Sequence, residues 1–387
     1  MRIIHWYPNY LAGGAIAETI LHLANGQAHL GHHVLVASQD FVGDPSYNPQ
    51  IREDLRADLH VWKPTLTFSL GRLPAHLVPL SSLRELRRFR ADILHIHNGI
   101  FLEDALIHLA LPSARTVLSP HGAFYPQMMT RRMRLYVGAL RPLFYDRVSA
   151  LHALSPDELV AIRQAFPVKQ SYIAPNGLSL DAEAGDQPPS ETNHGEEPAR
   201  LICVGRLDIA HKGLDMLLEA FAAAVARTTV PMQLLLLGPP WSQDYPRLLG
   251  LIERLDLGER VTIAGPTDRA GVVEALRAAD VYVQVSRWDA FSLSAIEAIA
   301  QGLPCILSSR IGAVSFPDVA ALPSVHPTEP HADSVCEAII EVVRSLDAQR
   351  RTAQRSASMI RERFSWERAV HDHDDAYQRL AAPPSKT

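Results

Sequence analysis

The stretch that decides the fold is LICVGRLDIAHKGLDMLLEAFAAAVA, residues 201–226. The apolar run Leu201–Val204 predicts a buried strand, and Leu214–Ala226 predicts a helix because its apolar residues recur at the helical period. A turn that opens with a glycine joins them and carries two cations, Arg206 and Lys212. Such a strand–turn–helix unit is typical of a parallel, doubly wound α/β sheet, which binds ligands at the carboxyl ends of its strands.

The same alternation of short apolar runs and helical stretches continues on both sides of this unit. It occupies the chain before residue 180 and again after residue 200, which indicates two sheets. We therefore expect an α/β protein with two Rossmann-like doubly wound domains that face an interdomain cleft. The predicted strands are Ile3–Tyr7, His33–Ala37, Ala91–His97, Thr116–Ser119, Ala150–Ala153, Leu201–Val204, Gln233–Leu237, Val261–Ala264, Val281–Val285 and Pro304–Leu307, and the predicted helices include Ile16–Leu30, Leu83–Arg90, Leu214–Ala226 and Asp268–Ala278.

A polar segment separates the two halves. Residues 182–200 contain five carboxylates, several prolines and glycines and almost nothing apolar, a composition typical of an exposed connection. We therefore expect one domain over residues 1–177, a linker over 178–200 and a second domain over 201–365.

Composition excludes several classes of protein. With 387 residues, of which 47% are hydrophobic and 20% charged, the chain is long and apolar enough for two globular cores. Its three cysteines, Cys203, Cys305 and Cys336, form no CxxC pair and predict buried, reduced thiols in a cytoplasmic protein. We find no signal peptide, no apolar run of the ~18 residues that a membrane helix needs, and no nucleic-acid-binding motif.

Charge is distributed unevenly along the chain. Residues 1–175 carry 17 Lys and Arg against 13 Asp and Glu, although the whole chain has a net charge of −5. A basic N-terminal half suits an anionic partner such as a phospholipid surface, and ordinary surface variation explains it equally well. The basic and apolar segment Arg131–Arg147 presents the same choice. Because Pro142 interrupts it, we favour a buried helix with exposed arginines over membrane contact.

A second candidate site follows the strand Val281–Val285. The stretch RWDAFSLSAIE, residues 287–297, leads into a helix with Ser292 and Ser294 as candidate caps, and such a helix start favours a phosphate group. Glu297 could accept the hydroxyls of a ribose, and Asp289 those of a sugar. The alternative for this stretch is a simple capping arrangement in which Glu297 complements the helix dipole. The alternative for the first candidate site is a solvated loop with Arg206 and Lys212 as surface cations.

Together these motifs resemble glycosyltransferase family 4, whose members have the GT-B fold. The Gly-Arg-Leu…Lys-Gly pattern of residues 205–213 is followed by DAFSLSAIEAIAQGLP, residues 289–304, which is similar to the acidic-Gly-Phe-Gly-Leu…Glu-Ala…Gly-x-Pro signature of the family. Asp289 replaces the usual Glu, and Ala290 and Ser292 replace two glycines, which narrows the space beside a donor sugar. Further similarities are Gly13-Gly14 to the glycine loop, Ser119–Gly122 to the His-Gly turn, Ala174–Gly177 to the interdomain turn, and Phe364–Glu367 to the start of the last helix.

The resemblance implies a function. The chain would be a retaining hexosyltransferase that uses a UDP- or GDP-sugar and needs no metal or other cofactor, with a donor phosphate oxygen taking the acceptor's proton. The acceptor would be a glycan or lipid-linked oligosaccharide of bacterial exopolysaccharide, capsule or lipopolysaccharide synthesis, met at the inner face of the cell membrane. The N-terminal domain, completed by the helix 366–383, would bind the acceptor, and the C-terminal domain the nucleotide sugar.

The resemblance also implies roles for particular residues. Arg206 and Lys212 would neutralise the diphosphate, Glu297 would hold the ribose, and His121 would lie over the sugar from the opposite domain. The other implied donor-binding residues are Gly13, Gly14, Asn176, Asp289, Ala290, Phe291, Ser292 and Leu293. Two alternatives stay open: a sugar-nucleotide 2-epimerase of the same architecture, and a non-catalytic partner subunit.

Two histidine patterns resemble metal-binding sequences. His95 and His97 alternate on one predicted strand, but no third ligand follows at a recognisable spacing, so packing or cleft lining is favoured over zinc. The run HDHDD at residues 371–375 is interpreted as a solvated helix face, because only residues three or four apart share a face. We therefore predict no metal site.

Overall fold

The computed structural model of the protein describes residues 1–40, 49–70, 73–166, 170–178, 197–240 and 244–382. The chain divides into two compact units. The first unit comprises Met1–Gly177 and the C-terminal stretch from Ser365, and the second comprises Leu178–Phe364. Most of the predicted linker, residues 178–200, lies outside the described residues.

Strands and helices alternate through both units. The strands are β1 (Arg2–Trp6), β2 (His33–Gln39), β3 (Asp58–Trp62), β4 (Leu66–Leu70), β5 (Leu73–Leu77), β6 (Ile93–His97), β7 (Arg115–Ser119), β8 (Ala150–Ala153), β9 (Ser171–Ile173), β10 (Ala199–Val204), β11 (Met232–Leu237), β12 (Val261–Ala264), β13 (Val281–Gln284), β14 (Cys305–Ser308) and β15 (Val325–Thr328). The helices are α1 (Ala15–His29), α2 (Pro49–Glu53), α3 (Leu80–Phe89), α4 (Leu102–Ala110), α5 (Arg131–Leu140), α6 (Pro156–Ala165), α7 (Ile209–Lys212), α8 (Leu214–Arg227), α9 (Asp244–Arg254), α10 (Arg269–Ala278), α11 (Leu293–Ala300), α12 (Pro317–Ala320), α13 (Ala332–Arg344), α14 (Leu346–Arg363) and α15 (Trp366–Ala381).

Each unit is built on one parallel sheet. In the first unit the strand order is β3-β2-β1-β6-β7-β8-β9, with β4 and β5 forming a separate antiparallel hairpin. In the second unit the order is β12-β11-β10-β13-β14-β15. All strands of each sheet run parallel, but the order in which the chain adds them reverses at one point. This point lies between β1 and β6 in the first unit and between β10 and β13 in the second. In doubly wound sheets this switch point is where ligands bind.

The predicted strands are all present, with boundaries within two residues of those predicted. This agreement confirms the α/β class with two doubly wound sheets. Sequence periodicity did not reveal β3, β9, β15 or the β4–β5 hairpin. These strands are short, and β3 (DLHVW) is mostly half-exposed, so it lacks the continuous apolar run that marks a buried parallel strand.

Helix α15 closes the first unit against α1. Ser365 caps it by accepting a hydrogen bond from Arg368 N at 3.2 Å. Gly177 permits its close approach, because a Cβ there would lie 2.5 Å from the Cα of Trp366. A glycine on α1 does the same further along, since a Cβ at Gly26 would lie 2.5 Å from Val370 Cγ2.

The interpretation of residues 371–375 as a solvated face is wrong for two of the five residues. His373 and Asp374 are buried, because they lie on the stripe of α15 that faces the first unit. His373 Nδ1 lies 3.0 Å from Tyr172 Oη, and Asp374 Oδ1 lies 2.7 Å from His32 Nε2.

The interpretation of residues 131–147 as a buried helix with exposed arginines is confirmed in part. The side chains of Met133, Tyr136 and Leu140 pack against the core around the buried Val137, and the arginines of α5 are exposed. The apolar Leu135 departs from the interpretation, since it is 68% exposed. The prediction of buried thiols is confirmed, since all three cysteines are buried and free. Within the described residues, no helix combines the length and the apolar character needed to span a bilayer.

Candidate functional site

The two loops singled out in the second unit meet at the switch point of its sheet. The first loop, residues 205–213, follows β10, and the second loop, residues 285–292, follows β13. These two strands are neighbours in the sheet. Lys212 Nζ on the first loop donates to Asp289 Oδ2 on the second at 2.8 Å, across 77 residues of sequence. The structure therefore brings a predicted phosphate-binding cation and a predicted sugar-binding carboxylate into direct contact.

Glycine and capping geometry fix the first loop. Asp208 caps α7 by accepting from His211 N at 2.9 Å, and Gly213 ends this helix in the left-handed region at a φ of 66°. A Cβ at Gly213 would lie 2.4 Å from the carbonyl oxygen of Val285, so only glycine fits against the second loop. This close approach positions Lys212 beside the end of β13.

A bidentate ion pair joins the two loops a second time. Arg287 donates to both carboxylate oxygens of Asp215, at 3.0 and 2.8 Å, and to the carbonyl of Ile209 at 2.8 Å. Trp288 stacks on His211 with ring centroids 4.9 Å apart. This clamp could not be predicted from the sequence, because Arg287 and Asp215 lie 72 residues apart.

Asp289 is held as an ionised group. Its Oδ2 also accepts from Gln284 Nε2 at 3.2 Å, and its Oδ1 accepts from Phe291 N at 3.3 Å. Burial acts to raise the pKa of Asp289, but Lys212, His211 and the Phe291 N–H together outweigh it, so the pKa lies below its usual range. The side chains of Asp289 and Lys212 are 14% and 13% exposed, so the pair is partly accessible to a ligand.

Gln284 organises this region, and sequence analysis missed it. Its Oε1 accepts from Tyr282 Oη at 2.7 Å and from Ser292 Oγ at 2.6 Å, and its Nε2 donates to Ser286 Oγ and to Asp289. The available signal was a polar residue at the end of a buried strand at the sheet's carboxyl edge. Gln284 thus couples the orientation of Asp289 to the start of α11.

Ser292 was predicted to cap α11, but its side chain makes no capping hydrogen bond. It occupies the N-cap position in the left-handed region at a φ of 67°, and its hydroxyl bonds Gln284 instead of a backbone N–H. The first backbone N–H groups of α11 are therefore not satisfied by this hydroxyl, and a helix start is a ready site for an anion. Phe291 is buried against Phe316 and Phe364, so its ring packs in the core of the second unit.

Glu297 has a partner that the sequence did not predict. Its Oε1 lies 2.8 Å from Arg269 Nη1 at the start of α10. Burial raises the pKa of Glu297 above its usual value despite the opposing effect of Arg269. Its carboxylate is 7% exposed, and Arg269 is 42% exposed, so the pair lies at the edge of the unit's surface.

Arg206 lies on the first loop, directly after Gly205. Its side chain is exposed, and its guanidinium Nη2 lies 3.5 Å from His211 Nδ1 on the same loop. Ala290 and Leu293 are half-buried in the second loop and in the first residue of α11.

The remaining predicted residues lie in the first unit. Gly13 and Gly14 follow β1 with φ values of 74° and 83°, a conformation that favours glycine, and Gly14 is exposed. Asn176 is half-buried just before Gly177. His121 follows β7 and is held in the left-handed region at a φ of 51°.

A chain of hydrogen bonds links His121 to the interior of the first unit. His121 Nε2 lies 3.0 Å from His97 Nδ1, and His97 Nε2 lies 3.1 Å from His5 Nδ1. His5 Nε2 lies 2.7 Å from Gln27 Oε1. Because an amide oxygen only accepts, each imidazole donates through Nε2 and accepts through Nδ1. The direction of this chain leaves Nδ1 of His121 as an unprotonated acceptor.

These imidazoles are neutral near pH 7. Burial lowers the pKa of His5 to about 4, although its bond to Gln27 opposes the shift. Burial also lowers the pKa of His121 to about 3, and the charge of His152 contributes.

A third histidine lies beside His95 and His97, although no ligand spacing in the sequence indicates it. His5 on the neighbouring strand β1 brings its ligand atom within 4.8 Å of theirs. The sequence hid this residue because strand pairing, and not spacing, brings it there. His5 and His97 bond each other, and His95 bonds Ser119 and Tyr377, so these imidazoles already have protein partners. His95 and His97 are completely buried, and the absence of a metal from this group stays a prediction.

Known proteins resemble this chain over most of its length. A family model described as glycosyltransferase family 4 matches residues 13–182, and one described as family 4 glycosyltransferase in conflict systems matches residues 161–372. A D-inositol 3-phosphate glycosyltransferase from Rhodococcus erythropolis is 28% identical over 243 residues, which cover 60% of this chain and 54% of that protein. The chain spans about half the length of this relative and of others with the same name.

Two further proteins match nearly the whole chain. Glycogen synthase from Mycobacterium tuberculosis is 24% identical over 396 residues, which cover 95% of this chain and 92% of that protein. HepE from Anabaena, solved with UDP and glucose, superposes with a TM-score of 0.76 over 98% of this chain and 100% of its own, at 16% identity. At that identity the superposition establishes a shared fold.

Proposed function

The chain belongs to glycosyltransferase family 4 and has the GT-B fold, and on this basis we propose that it transfers a hexose from a UDP- or GDP-sugar to an acceptor with retention of anomeric configuration. One observation carries the proposal. Lys212 and Asp289 lie in contact at the switch point of the second unit's sheet, beside the start of α11. A cation, a carboxylate and free helical N–H groups are the elements needed to hold a diphosphate and the sugar attached to it.

Electrostatic stabilisation of the leaving diphosphate is the proposed source of catalysis. As the bond between the anomeric carbon and the phosphate oxygen breaks, negative charge grows on the diphosphate and the sugar becomes oxocarbenium-like. One of the three N–H donors of Lys212 bonds Asp289, which leaves the others for phosphate oxygens. With Arg206 and the start of α11, these donors would stabilise the charge where it develops, without a divalent cation.

The acceptor oxygen would attack the same face that the leaving group departs from. The new glycosidic bond forms as the bond to phosphate breaks, and the acceptor's proton passes to a donor phosphate oxygen. No protein general base is needed in this scheme. Asp289 would hold hydroxyls of the transferred sugar and Glu297 those of the ribose. The role of His121 stays a prediction of the resemblance.

We propose an acceptor presented at a membrane, in the form of a lipid-linked oligosaccharide. The exposed face of helix α5 supports this part of the proposal, because it carries Arg131, Arg132 and Arg134 next to the exposed Leu135. Basic and apolar side chains on one exposed helix favour anionic lipid surfaces. Sedimentation with phosphatidylglycerol vesicles tests it, and equal binding to neutral phosphatidylcholine vesicles would contradict it.

Calorimetric titration of UDP-glucose, UDP-galactose and GDP-mannose in EDTA tests the donor assignment. We expect saturable binding of at least one donor and the release of its nucleoside diphosphate when a suitable acceptor is present. Glu297→Gln should weaken donor binding about tenfold or more, because a charged hydrogen bond to the ribose contributes about 1.5–3 kcal/mol. Glu274→Gln, an exposed glutamate on α10 of the same unit, is the matched control.

The outcomes separate the competing functions. Conversion of the donor to a second sugar nucleotide without acceptor would identify an epimerase. Binding without turnover on any acceptor would indicate a non-catalytic subunit. Absence of binding to every donor, or full binding by Glu297→Gln, would contradict the assigned site.

A further inference from the structure

A continuous line of polar contacts crosses the first unit and ends at His121. It passes over the neighbouring strands β8, β7, β6 and β1 and takes in one side chain each from α1 and α15. Its inner end is the backbone carbonyl of Ala174, directly after β9. We call this line the histidine chain, and from its inner end it consists of Ala174, His152, Ser119, His95, Tyr377, Gln27, His5, His97 and His121.

The carbonyl at the inner end fixes the direction of the bonds that follow it. The Ala174 oxygen only accepts, so His152 Nε2 donates to it at 2.8 Å. The other ring nitrogen of His152 therefore accepts, and the Ser119 hydroxyl donates to it at 2.5 Å. Because a hydroxyl has one proton, Ser119 Oγ accepts from Nε2 of His95. Nδ1 of His95 in turn accepts from the Tyr377 hydroxyl at 2.5 Å.

These directions require that each imidazole is neutral. Burial lowers the pKa of His152 to about 4, although its bond to Ala174 opposes the shift. Burial also lowers the pKa values of His95 and His97 well below their usual range, and neighbouring histidines add to the effect. A neutral imidazole has one donor nitrogen and one acceptor nitrogen, so each ring passes the direction of one bond on to the next.

Tyr377 joins the inner part of the histidine chain to the outer part. Its proton is used in the bond to His95, so its oxygen offers lone pairs to Gln27. Burial raises the pKa of Tyr377, and an N–H of Gln27 that points to the Tyr377 oxygen opposes this shift. The contact lies outside normal hydrogen-bond geometry and is the weakest of the chain. With its NH₂ group turned towards Tyr377, Gln27 presents its oxygen to His5 Nε2 at 2.7 Å.

The same direction reaches the outer end of the chain. Because His5 donates to Gln27, its Nδ1 accepts from His97 at 3.1 Å. His97 Nδ1 then accepts from His121 Nε2 at 3.0 Å. The opposite tautomers would place two acceptors face to face in the interior, and a buried unpaired acceptor is strongly disfavoured. His121 itself is half-buried, and its Nδ1 makes no hydrogen bond within the described part of the chain.

We propose that Gln27 and Tyr377 are positioning residues, which hold His121 in the tautomer protonated at Nε2 and keep its Nδ1 as a fixed acceptor. The group that meets this nitrogen must then donate a hydrogen bond, as a substrate hydroxyl does. An acceptor fixed in advance needs no reorganisation when the substrate binds. Only the use of this acceptor by a substrate rests on the proposed function, because the tautomer belongs to the protein without ligand.

Nitrogen NMR of protein whose histidines carry ¹⁵N tests the tautomer directly. The shift of a ring nitrogen differs strongly between its protonated and unprotonated forms, and the signals of His121 are those lost in His121→Asn. Near neutral pH we expect a protonated Nε2 and an unprotonated Nδ1 at His121, with a preference of about tenfold or more over the other tautomer. In Gln27→Leu and Tyr377→Phe the two shifts should move towards each other, because the interrupted chain no longer selects one tautomer.

Steady-state kinetics tests whether a substrate uses the acceptor. With the donor that binds in titration, kcat/KM should fall about fivefold in Gln27→Leu and Tyr377→Phe, the size expected when one neutral hydrogen bond is weakened. Gln164→Leu and Tyr245→Phe, at exposed residues of α6 and α9, are the matched controls and should change neither the tautomer nor kcat/KM. Tyr377→Phe keeps the aromatic ring, so it tests the chain even if Gln27→Leu fails to fold.

Three results would overturn the proposal. The first is a protonated Nδ1, or an equal mixture of tautomers, at His121 of the wild type. The second is an unchanged tautomer in a folded Gln27→Leu or Tyr377→Phe variant. The third is wild-type kcat/KM in variants whose tautomer has changed. Failure of the proposed function would instead appear as the absence of donor binding, with the tautomer of His121 as expected.

Discussion

Replacing Lys212 by methionine separates two roles that the structure gives this residue. Methionine keeps most of the side-chain length and removes the ammonium that lies 2.8 Å from Asp289 Oδ2. At this distance the Coulomb attraction at an effective dielectric constant of about 20 is about 6 kcal/mol, most of which is offset by desolvation. Removing one partner from a fully buried pair costs about 3–5 kcal/mol. Because both side chains keep some exposure, 13% and 14%, we expect a loss of about 2 kcal/mol in the free energy of unfolding.

The effect on turnover depends on what Lys212 contacts during the reaction. If its remaining N–H groups bind the leaving diphosphate, Lys212→Met should lower kcat by about 10²–10³, as the loss of one electrostatic donor does elsewhere. If Lys212 only neutralises Asp289, then Asp289→Asn should restore both stability and turnover in the double variant.

A double-mutant cycle with Asp289→Asn distinguishes these roles. Unfolding is followed by calorimetry, and turnover by the rate of nucleoside diphosphate release from the donor that binds in titration. We expect a coupling of about 2 kcal/mol in stability and an unrestored kcat in the double variant relative to Asp289→Asn. Lys63→Met, at an exposed lysine of the first unit, is the control.

Two results would contradict this interpretation of the site. Recovery of kcat in the double variant would show that Lys212 acts only through Asp289 and does not contact the diphosphate. Wild-type stability and turnover in Lys212→Met would show that the contact between the two loops has no part in function.

Three further predictions concern the fold. Gly177→Ala should lower the free energy of unfolding by about 2 kcal/mol or more, because its Cβ would lie 2.5 Å from the backbone of Trp366. Gly138→Ala in α5 should raise it by about 0.5–1 kcal/mol, because a Cβ there meets open space. Calorimetry of both variants checks this. Asp280→Ala should cost about 3–5 kcal/mol in urea unfolding, since the fully buried Asp280 carboxylate joins two arginines. Burial lowers the pKa of His152 to about 4. The contribution of its neutral imidazole to the free energy of unfolding is therefore complete above pH 6.5 and is lost as the pH falls towards 4. His152→Asn should reduce the pH dependence of this free energy between pH 4 and 6.5 by about 1.4 kcal/mol per pH unit, and an unchanged dependence would contradict the prediction.

The sequence alone determined the order of elements and the position of the motifs. Apolar runs such as Leu201–Val204 marked their strands because burial on both faces of a parallel sheet demands continuous hydrophobicity. The family signature identified the loops of Lys212 and Asp289. Both loops follow strands that end at the same edge of one sheet. These signals are local, and they survive in a single chain without any knowledge of contacts.

Tertiary structure alone decided which groups are partners and which are buried. The ion pair of Glu297 with Arg269 and the clamp of Arg287 on Asp215 join residues that share no pattern, because their proximity is set by strand order. Likewise, His5 reaches the imidazoles of β6 through sheet register. Burial and neighbouring charges determine the pKa values, and packing determines which polar atoms find hydrogen-bond partners. Both depend on the complete tertiary structure. The sequence therefore located the chemistry, and packing determined its electrostatic state.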